Sequence, residues 1–386
     1  MSTFLGGSEI SEMYLGNREI SEMYLGSNLI YSSADESFIM GVEWDKQADP
    51  TLTRIGDWKD FVANIGIGDE VVQNDFDQAP IYREIIRETD DLGNTFVRIP
   101  RFYIRKTDDE GLLRLEISKT QIPGSYLPKC FWDFTNSKEL PYVDVGAYIT
   151  SWSYDYDWER VESRSGVAPE AYMNIKEHRD YARANGPGYQ QLDIHAADML
   201  QCLFHVEFAT INSQSIHPGY TWGDGAKLTG GTDGVVASSG SMGTSSIHQF
   251  MYRGIEDLWG NLWQLVDGVN INDHQAWVCE DAEQYASDVF ASPYQKLSYV
   301  NASSDGYAKE MGFDQNRPYA QFPIAVGADT TTYYSDYYWQ NGGQRVAMFG
   351  GDWNYGEYTG LSCWGLSDDS WLGYDALGGR LLRKPI

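Results

Sequence analysis

Arg253-Gly254-Ile255-Glu256-Asp257-Leu258-Trp259-Gly260-Asn261-Leu262-Trp263-Gln264-Leu265-Val266-Asp267-Gly268 is the stretch on which the fold turns. Trp259 and Trp263 stand four residues apart, with Gly260-Asn261 between them. A tight turn at that Gly-Asn pair drops both indoles into one core. Large apolar rings placed that way belong to a scaffold.

Upstream of this turn the chain carries its clearest helices, between Pro169 and Phe208. Leu192, Ala196, Met199 and Leu203 form one apolar stripe, which predicts a helix with Asp193 as its cap. Gly186-Pro187-Gly188 separates it from an earlier helix expected over Tyr172 to Arg183. Further upstream, Phe96-Val97-Arg98-Ile99-Pro100-Arg101-Phe102-Tyr103-Ile104 alternates at period two, as one half-buried strand would. Asp90-Asp91-Leu92-Gly93-Asn94 reads as the turn before it. From Gly223 to Ser246 the chain is rich in Gly, Ser and Thr and reads as a long surface excursion. Strands, then two helices, then strands and long loops make an α+β arrangement.

The chain opens on an internal repeat: Glu9-Ile10-Ser11-Glu12-Met13-Tyr14-Leu15-Gly16 recurs intact as Glu19 to Gly26. The period is too short for a solenoid. Alternating Ile, Met and Leu suggest short strands, with Asn17-Arg18 and Ser27-Asn28 as the turns. Residues 1–37 therefore read as a repeated, hairpin-like anchoring or assembly segment that completes itself against a partner subunit. Residues 38–79 read as a β-rich connecting region.

The 386 residues carry a formal charge of -28, which argues against nucleic acid and against an anionic membrane surface. No run approaches the roughly 18 apolar residues of a membrane helix, and the first residues lack signal-peptide features. The expectation is a protein made and folded in a bacterial cytoplasm, without membrane insertion. Cys130, Cys202, Cys279 and Cys363 are far apart and form no CxxC pair, so they read as free, buried thiols. His178, His195, His205, His217, His248 and His274 show no metal-ligand spacing. No catalytic residue, metal or cofactor is expected.

The last fifty residues are unlike a folding core. Tyr333-Tyr334-Ser335-Asp336-Tyr337-Tyr338-Trp339 and Gly350-Gly351-Asp352-Trp353-Asn354-Tyr355-Gly356 crowd Tyr, Trp, Asp, Asn, Ser and Gly together while aliphatic residues are scarce. That is the composition of a recognition surface, where flat rings give contact area at low entropic cost and small polar groups adapt their hydrogen bonds. Tyr355, Tyr358, Trp364, Trp371 and Tyr374 are flanked by Gly, Asp or Ser, and no apolar stripe accounts for them. They are expected at the surface, where an exposed aromatic patch marks an interaction site. Trp353, after its Gly-Gly pair, is expected in the scaffold.

Two motifs carry a family resemblance. The Arg253–Gly268 stretch resembles a signature of the C-type-lectin-like fold, in the branch shared by formylglycine-generating enzymes and phage tropism determinants. Arg345-Val346-Ala347-Met348-Phe349-Gly350-Gly351-Asp352-Trp353 resembles the strand that opens the variable region of diversity-generating retroelement target proteins. Gly378-Gly379-Arg380 is similar to that region's end, though a more usual Gly-Phe-Arg is replaced. The resemblance implies a C-type-lectin-like domain over residues 80–386, with a variable, ligand-binding region at about 333–380. It implies a phage or prophage tail protein, on the virion, expected to be a homotrimer. Its partners would be a host cell-surface protein or glycan, and other tail or baseplate subunits through the N-terminal segment.

In that family template adenines are mutated, and positions of the resulting type here are Asp352, Asn354, Tyr355, Tyr358, Ser362, Cys363, Ser367, Asp368, Asp369, Tyr374 and Asp375. Tyr333, Tyr334, Asp336, Tyr337 and Tyr338 are candidates too. Glu357, Trp364 and Trp371 cannot arise from a codon ending in cytosine, and are either fixed or come from other template codons; they complete the candidate ligand-binding set. The rival readings are a metal-independent glycan-binding lectin, a structural tail component, and an oxidase of the formylglycine-generating type. The last would need paired reactive cysteines or a His cluster.

Overall fold

In this computed structural model, the described residues are 38–386 except 57, 110 and 154–158, with six short backbone strands ahead of them. Those six form three antiparallel pairs: Phe4–Leu5 with Ser8–Glu9, Tyr14–Leu15 with Arg18–Glu19, and Glu22–Leu25 with Asn28–Ser32. Arg18 and Asn28 lie in strands, not in the turns expected of them. The expected anchoring role falls largely outside the described residues.

Among the described residues the class is α+β, with strands outnumbering two α-helices. The largest sheet runs in the order Gln295–Lys296, Gln275–Val278, Trp263–Asn272, Gln344–Gly350, Gly360–Leu366, Tyr337–Gln340, Gly306–Met311 and Pro323–Val326, with Leu377–Gly378 beside Trp263–Asn272. Neighbours are antiparallel except where Tyr337–Gln340 meets Gly360–Leu366 and where Leu377–Gly378 joins. One face of this sheet packs Phe349, Leu361, Trp364 and Leu366 into the main core with the second helix. The other carries Trp263, Leu265, Val346, Met348 and Cys363 in a thin apolar layer.

The two helices are α1, Ile175–Arg183, and α2, Ile194–Phe208. Asn174 caps α1, with Glu177 returning the bond in a capping box. Helix α1 starts later than expected because Tyr172 has φ +65°, which a helix cannot accommodate. Asp193 caps α2 as expected, accepting from the Ala196 amide at 2.9 Å. Helix α2 is buried nearly all round, so its apolar stripe understates how much of it is core.

The single strand expected over Phe96 to Ile104 is two strands in two sheets. Thr95–Pro100 lies in a five-stranded antiparallel sheet with Tyr142–Gly146 and the terminal Leu381–Arg383. Tyr103–Asp109 pairs with Leu112–Ser118 elsewhere. Pro100 has no amide to extend the ladder, and the chain turns there to bury Phe102. Within residues 38–79, Ile39–Trp44 pairs with Leu112–Ser118, and Gly66–Ile67 with Gly240–Ser241. The Gly223-to-Ser246 excursion carries the short strand Gly240–Ser241 and is otherwise irregular but pinned, for Glu256 accepts from the Gly230 and Thr232 amides at 2.8 Å each. No described helix is long and apolar enough to cross a membrane.

Candidate functional site

The turn at Gly260-Asn261 forms as the sequence predicts, with φ of +78° and +62°. A Cβ on Gly260 would lie 2.5 Å from the Tyr220 carbonyl, so no side chain fits. Trp259 and Trp263 are both buried, but not in one core as expected: Trp259 lies in the main core and Trp263 in the thin apolar layer on the sheet's other face. Asn261 fastens the neighbourhood: its Nδ2 donates to Asp257 at 2.8 Å, its Oδ1 accepts from the Lys227 amide at 2.9 Å, and its carbonyl accepts from the Trp353 amide at 3.1 Å. Arg380, fully buried, donates to Gln264 and to the carbonyls of Gly146, Glu256 and Asp257. The motif's polar residues are thus occupied in holding the frame.

On that frame sits the loop 351–359. Its backbone is tied to fixed scaffold: the Gly356 amide donates to Thr221 O at 2.8 Å, and the Gly223 amide donates to Trp353 O at 2.8 Å. Gln214 Nε2 donates to the carbonyls of Gly356 and Thr359 at 3.0 and 2.7 Å. Within the loop, Asp352 accepts from the Asn354 amide at 2.8 Å. Asn354, Glu357 and Tyr358 are exposed. These anchors are made to main-chain atoms, so the loop's shape is set without those three side chains.

Beside the loop, the strand Tyr337–Gln340 shows its two faces by alternation. Tyr338 points into the main core, while Tyr337 and Trp339 point outward, their rings 4.5 Å apart. Tyr358 meets Tyr337 at 4.7 Å, Tyr307 meets Tyr337 at 5.2 Å, and Trp339 meets Tyr355 at 5.3 Å. Tyr355 in turn rests edge-on against Trp263 at 5.9 Å. The sequence signature therefore supports the aromatic face directly. Trp222, 68 % exposed, stands over Gly356 from the excursion loop. Between Trp222 and the tyrosines lies a groove of about 780 Å³, with Gln214, Ser245 and Ser246 on its lining.

The loop 367–376 forms a second part of the surface. Trp371 is 70 % exposed and Asp375 is exposed, with Ser367, Asp368, Asp369 and Tyr374 half-buried. Arg345 pairs with Asp369, and Ser370 donates to Asp288 at 2.6 Å. The backbone is again anchored: the Tyr172 amide donates to Tyr374 O at 3.1 Å, and the Trp263 amide to Ala376 O at 2.9 Å.

Of the candidate residues, the structure brings Tyr355, Glu357 and Tyr358 together at the groove, with Tyr337 behind them against Tyr358. Asn354 stands exposed on the same loop. Tyr333 is half-buried and lines a different hollow, with Trp44 and Lys309. Seven candidates lie inward instead of at the surface: Tyr334, Asp336, Tyr338, Asp352, Ser362, Cys363 and Trp364 are buried. Strand alternation sends Tyr338 and Trp364 inward, where Trp364 packs on Phe322 at 4.8 Å. Cys363, on the opposite face, fills the thin apolar layer. Burial pushes the Asp352 carboxyl up to about 7, against the pull of the Asn354 amide. Burial also raises Asp336 well above the carboxylate range, with the Ser362 amide opposing.

Trp222, Tyr307 and Trp339 are site residues that sequence reading missed. A lone Trp amid small residues was the available signal for Trp222. For Trp339 it was the odd-position alternation with Tyr337.

No protein-family model matches the sequence, and no curated protein matches it. Among solved structures the chain is similar to the Major Tropism Determinant P3c variant, at 11 % identity and a TM-score of 0.32, over 75 % of this chain and 63 % of that one. It is similar to the U1 variant of the same protein at 10 % identity and a TM-score of 0.30, with the same coverage. PvdO from Pseudomonas aeruginosa is 11 % identical with a TM-score of 0.32, over 78 % of this chain and 98 % of PvdO. The chain spans less than two thirds of either tropism determinant. At these values the similarity adds no weight to a reading of the site.

Proposed function

We propose that this chain is a receptor-binding protein of a phage or prophage tail, with a C-type-lectin-like domain that displays a diversified aromatic surface to a host-cell ligand. One observation carries the reading: the 351–359 loop is fixed through its main chain while Asn354, Glu357 and Tyr358 are exposed, Tyr358 with its ring against Tyr337 and Tyr307. Side chains so placed can be exchanged without altering the fold, which is what a variable recognition surface requires. Exposed Tyr and Trp are also the residues that dominate interface energies. Multiple copies on a tail would raise weak single-site binding by roughly 10²–10⁴ where geometry allows.

A binding role rather than an enzymatic one is favoured by the thiols. All four cysteines are buried, and burial raises the thiols of Cys130, Cys202, Cys279 and Cys363, the reverse of what a thiolate nucleophile needs. The test is labelling of intact cells from a panel of bacterial strains by the fluorescent full-length chain. The chain should stain some strains, and Glu357→Ala/Tyr358→Ala/Trp371→Ala should lose that staining with its melting temperature kept. Undiminished staining by this variant would remove the surface from the account.

A further inference from the structure

We infer that the groove between Trp222 and Tyr358 is a binding subsite for a neutral hexose-containing oligosaccharide, held without a metal ion, with Trp222 as its fixed stacking platform. The inference rests on the receptor-binding reading and specifies the ligand's chemical class.

The lining of the groove is the first argument. Among the described residues it combines the aromatic Trp222, Tyr307, Tyr355 and Tyr358 with the small or neutral polar Thr221, Ser245, Ser246 and Gln214. Glu357 brings the charge to this lining. A sugar ring has an apolar C–H face that lies on an aromatic ring and a rim of hydroxyls that needs neutral donors and acceptors. A carboxylate accepts two such hydroxyls. An anionic ligand would find Glu357 repulsive and no cation in the lining to meet it. The shape is the second argument. A hollow of about 780 Å³ admits a ligand between its walls, within the range of small-ligand sites.

The third argument is the placement of Trp222 itself. Its ring is 68 % exposed, yet its backbone is held on both sides. The Thr221 and Trp222 amides both donate to Ser246 O, at 2.9 and 3.1 Å, and the Gly223 amide donates to Trp353 O. Gly356 passes beneath the indole, a Cβ there lying 3.5 Å from the ring. An indole exposed on a pinned loop loses little freedom on binding, which favours stacking. Because Trp222 lies outside the 333–380 region, the platform stays constant while Tyr358 on the same lining can change. The subsite would then keep its class of ligand and vary which sugar or linkage it selects.

The experiment prints neutral hexose oligosaccharides, acidic oligosaccharides and peptides on one array and probes them with the full chain in EDTA. Retention on neutral oligosaccharides is expected, weakened about tenfold or more in Trp222→Ala by loss of the stacking face and largely restored in Trp222→Phe. Retention on peptides alone, still sensitive to Trp222→Ala, would overturn the sugar assignment and leave the receptor-binding reading standing. Retention on neutral oligosaccharides indifferent to both Trp222→Ala and Tyr358→Ala would overturn the groove as its seat. Absence of any neutral-oligosaccharide signal would overturn the inference, whatever the cell-staining result.

Discussion

Replacing Trp364 with alanine should destabilise the protein severely and leave the aromatic face intact in whatever fraction remains folded. Trp364 is 1 % exposed and sits between Phe322, at 4.8 Å, and Phe349, at 6.0 Å, in the main core. Truncating a buried Trp costs about 3–5 kcal/mol in lost transfer energy and cavity. Unfolding entropy of about 2.1 cal/mol/K per residue, over 386 residues, comes to roughly 0.8 kcal/mol/K. The melting temperature should therefore fall by about 5 °C. Differential scanning calorimetry reads this directly, alongside ligand binding measured well below the transition. A melting temperature within 1 °C of the parent, together with lost binding, would refute the reasoning. It would mean that the ring faces outward and that strand alternation has been misassigned.

Gln214→Ala removes the amide that clamps Gly356 O and Thr359 O, so it should loosen the 351–359 loop and weaken ligand binding. The stability lost should be about 1–2 kcal/mol, and faster amide hydrogen exchange confined to that loop would check the mechanism. Trp259→Ala, which empties the core beneath the frame, should cost about 3–5 kcal/mol, read as a lower urea midpoint. Asp352 gives a pH signature. Its carboxyl ionises near pH 7 in the fold and near its ordinary value of about 4 when unfolded. Stability that this group contributes is fully present below about pH 4 and is lost as pH rises to about 7, because the unfolded chain releases a proton that the fold retains. Urea midpoints of Asp352→Asn should decline less than those of the parent between pH 5 and 7.5; parallel curves would count against the burial argument.

The frame was legible because its signals are local. Gly260-Asn261 between two indoles, Asp193 before an apolar stripe, and Gly-Pro-Gly between helices each act within a few residues. The site was legible as a region and not residue by residue. Tyr337 and Tyr338 are identical in type and neighbours in sequence, yet one joins the aromatic cluster with Tyr307 and Tyr358 and the other lies in the core. Only the placement of their strand between Gly306–Met311 and Gly360–Leu366 decides which is which. Composition likewise made Trp364 look like contact surface, since Ser362, Cys363 and Gly365 surround it. Those small residues are there because the sheet is packed on both faces: Gly365 leaves no room, a Cβ there lying 2.7 Å from the Met348 side chain. Trp222 escaped notice because its aromatic partners in the groove, Tyr307, Tyr355 and Tyr358, lie far along the chain, at a distance that no periodicity spans.

The claim that a fixed backbone carries exchangeable side chains is tested most directly by randomising two sets of positions and scoring folding by protease resistance. The exposed set is Asn354, Glu357, Tyr358, Trp371 and Asp375; the buried set is Asp336, Tyr338, Cys363 and Trp364. Most members of the exposed library should stay folded within about 2 °C of the parent's melting temperature, since surface substitutions usually shift stability by under ~0.5 kcal/mol. Few members of the buried library should survive. Comparable losses in both libraries would contradict the account, by showing that the displayed rings hold the protein together.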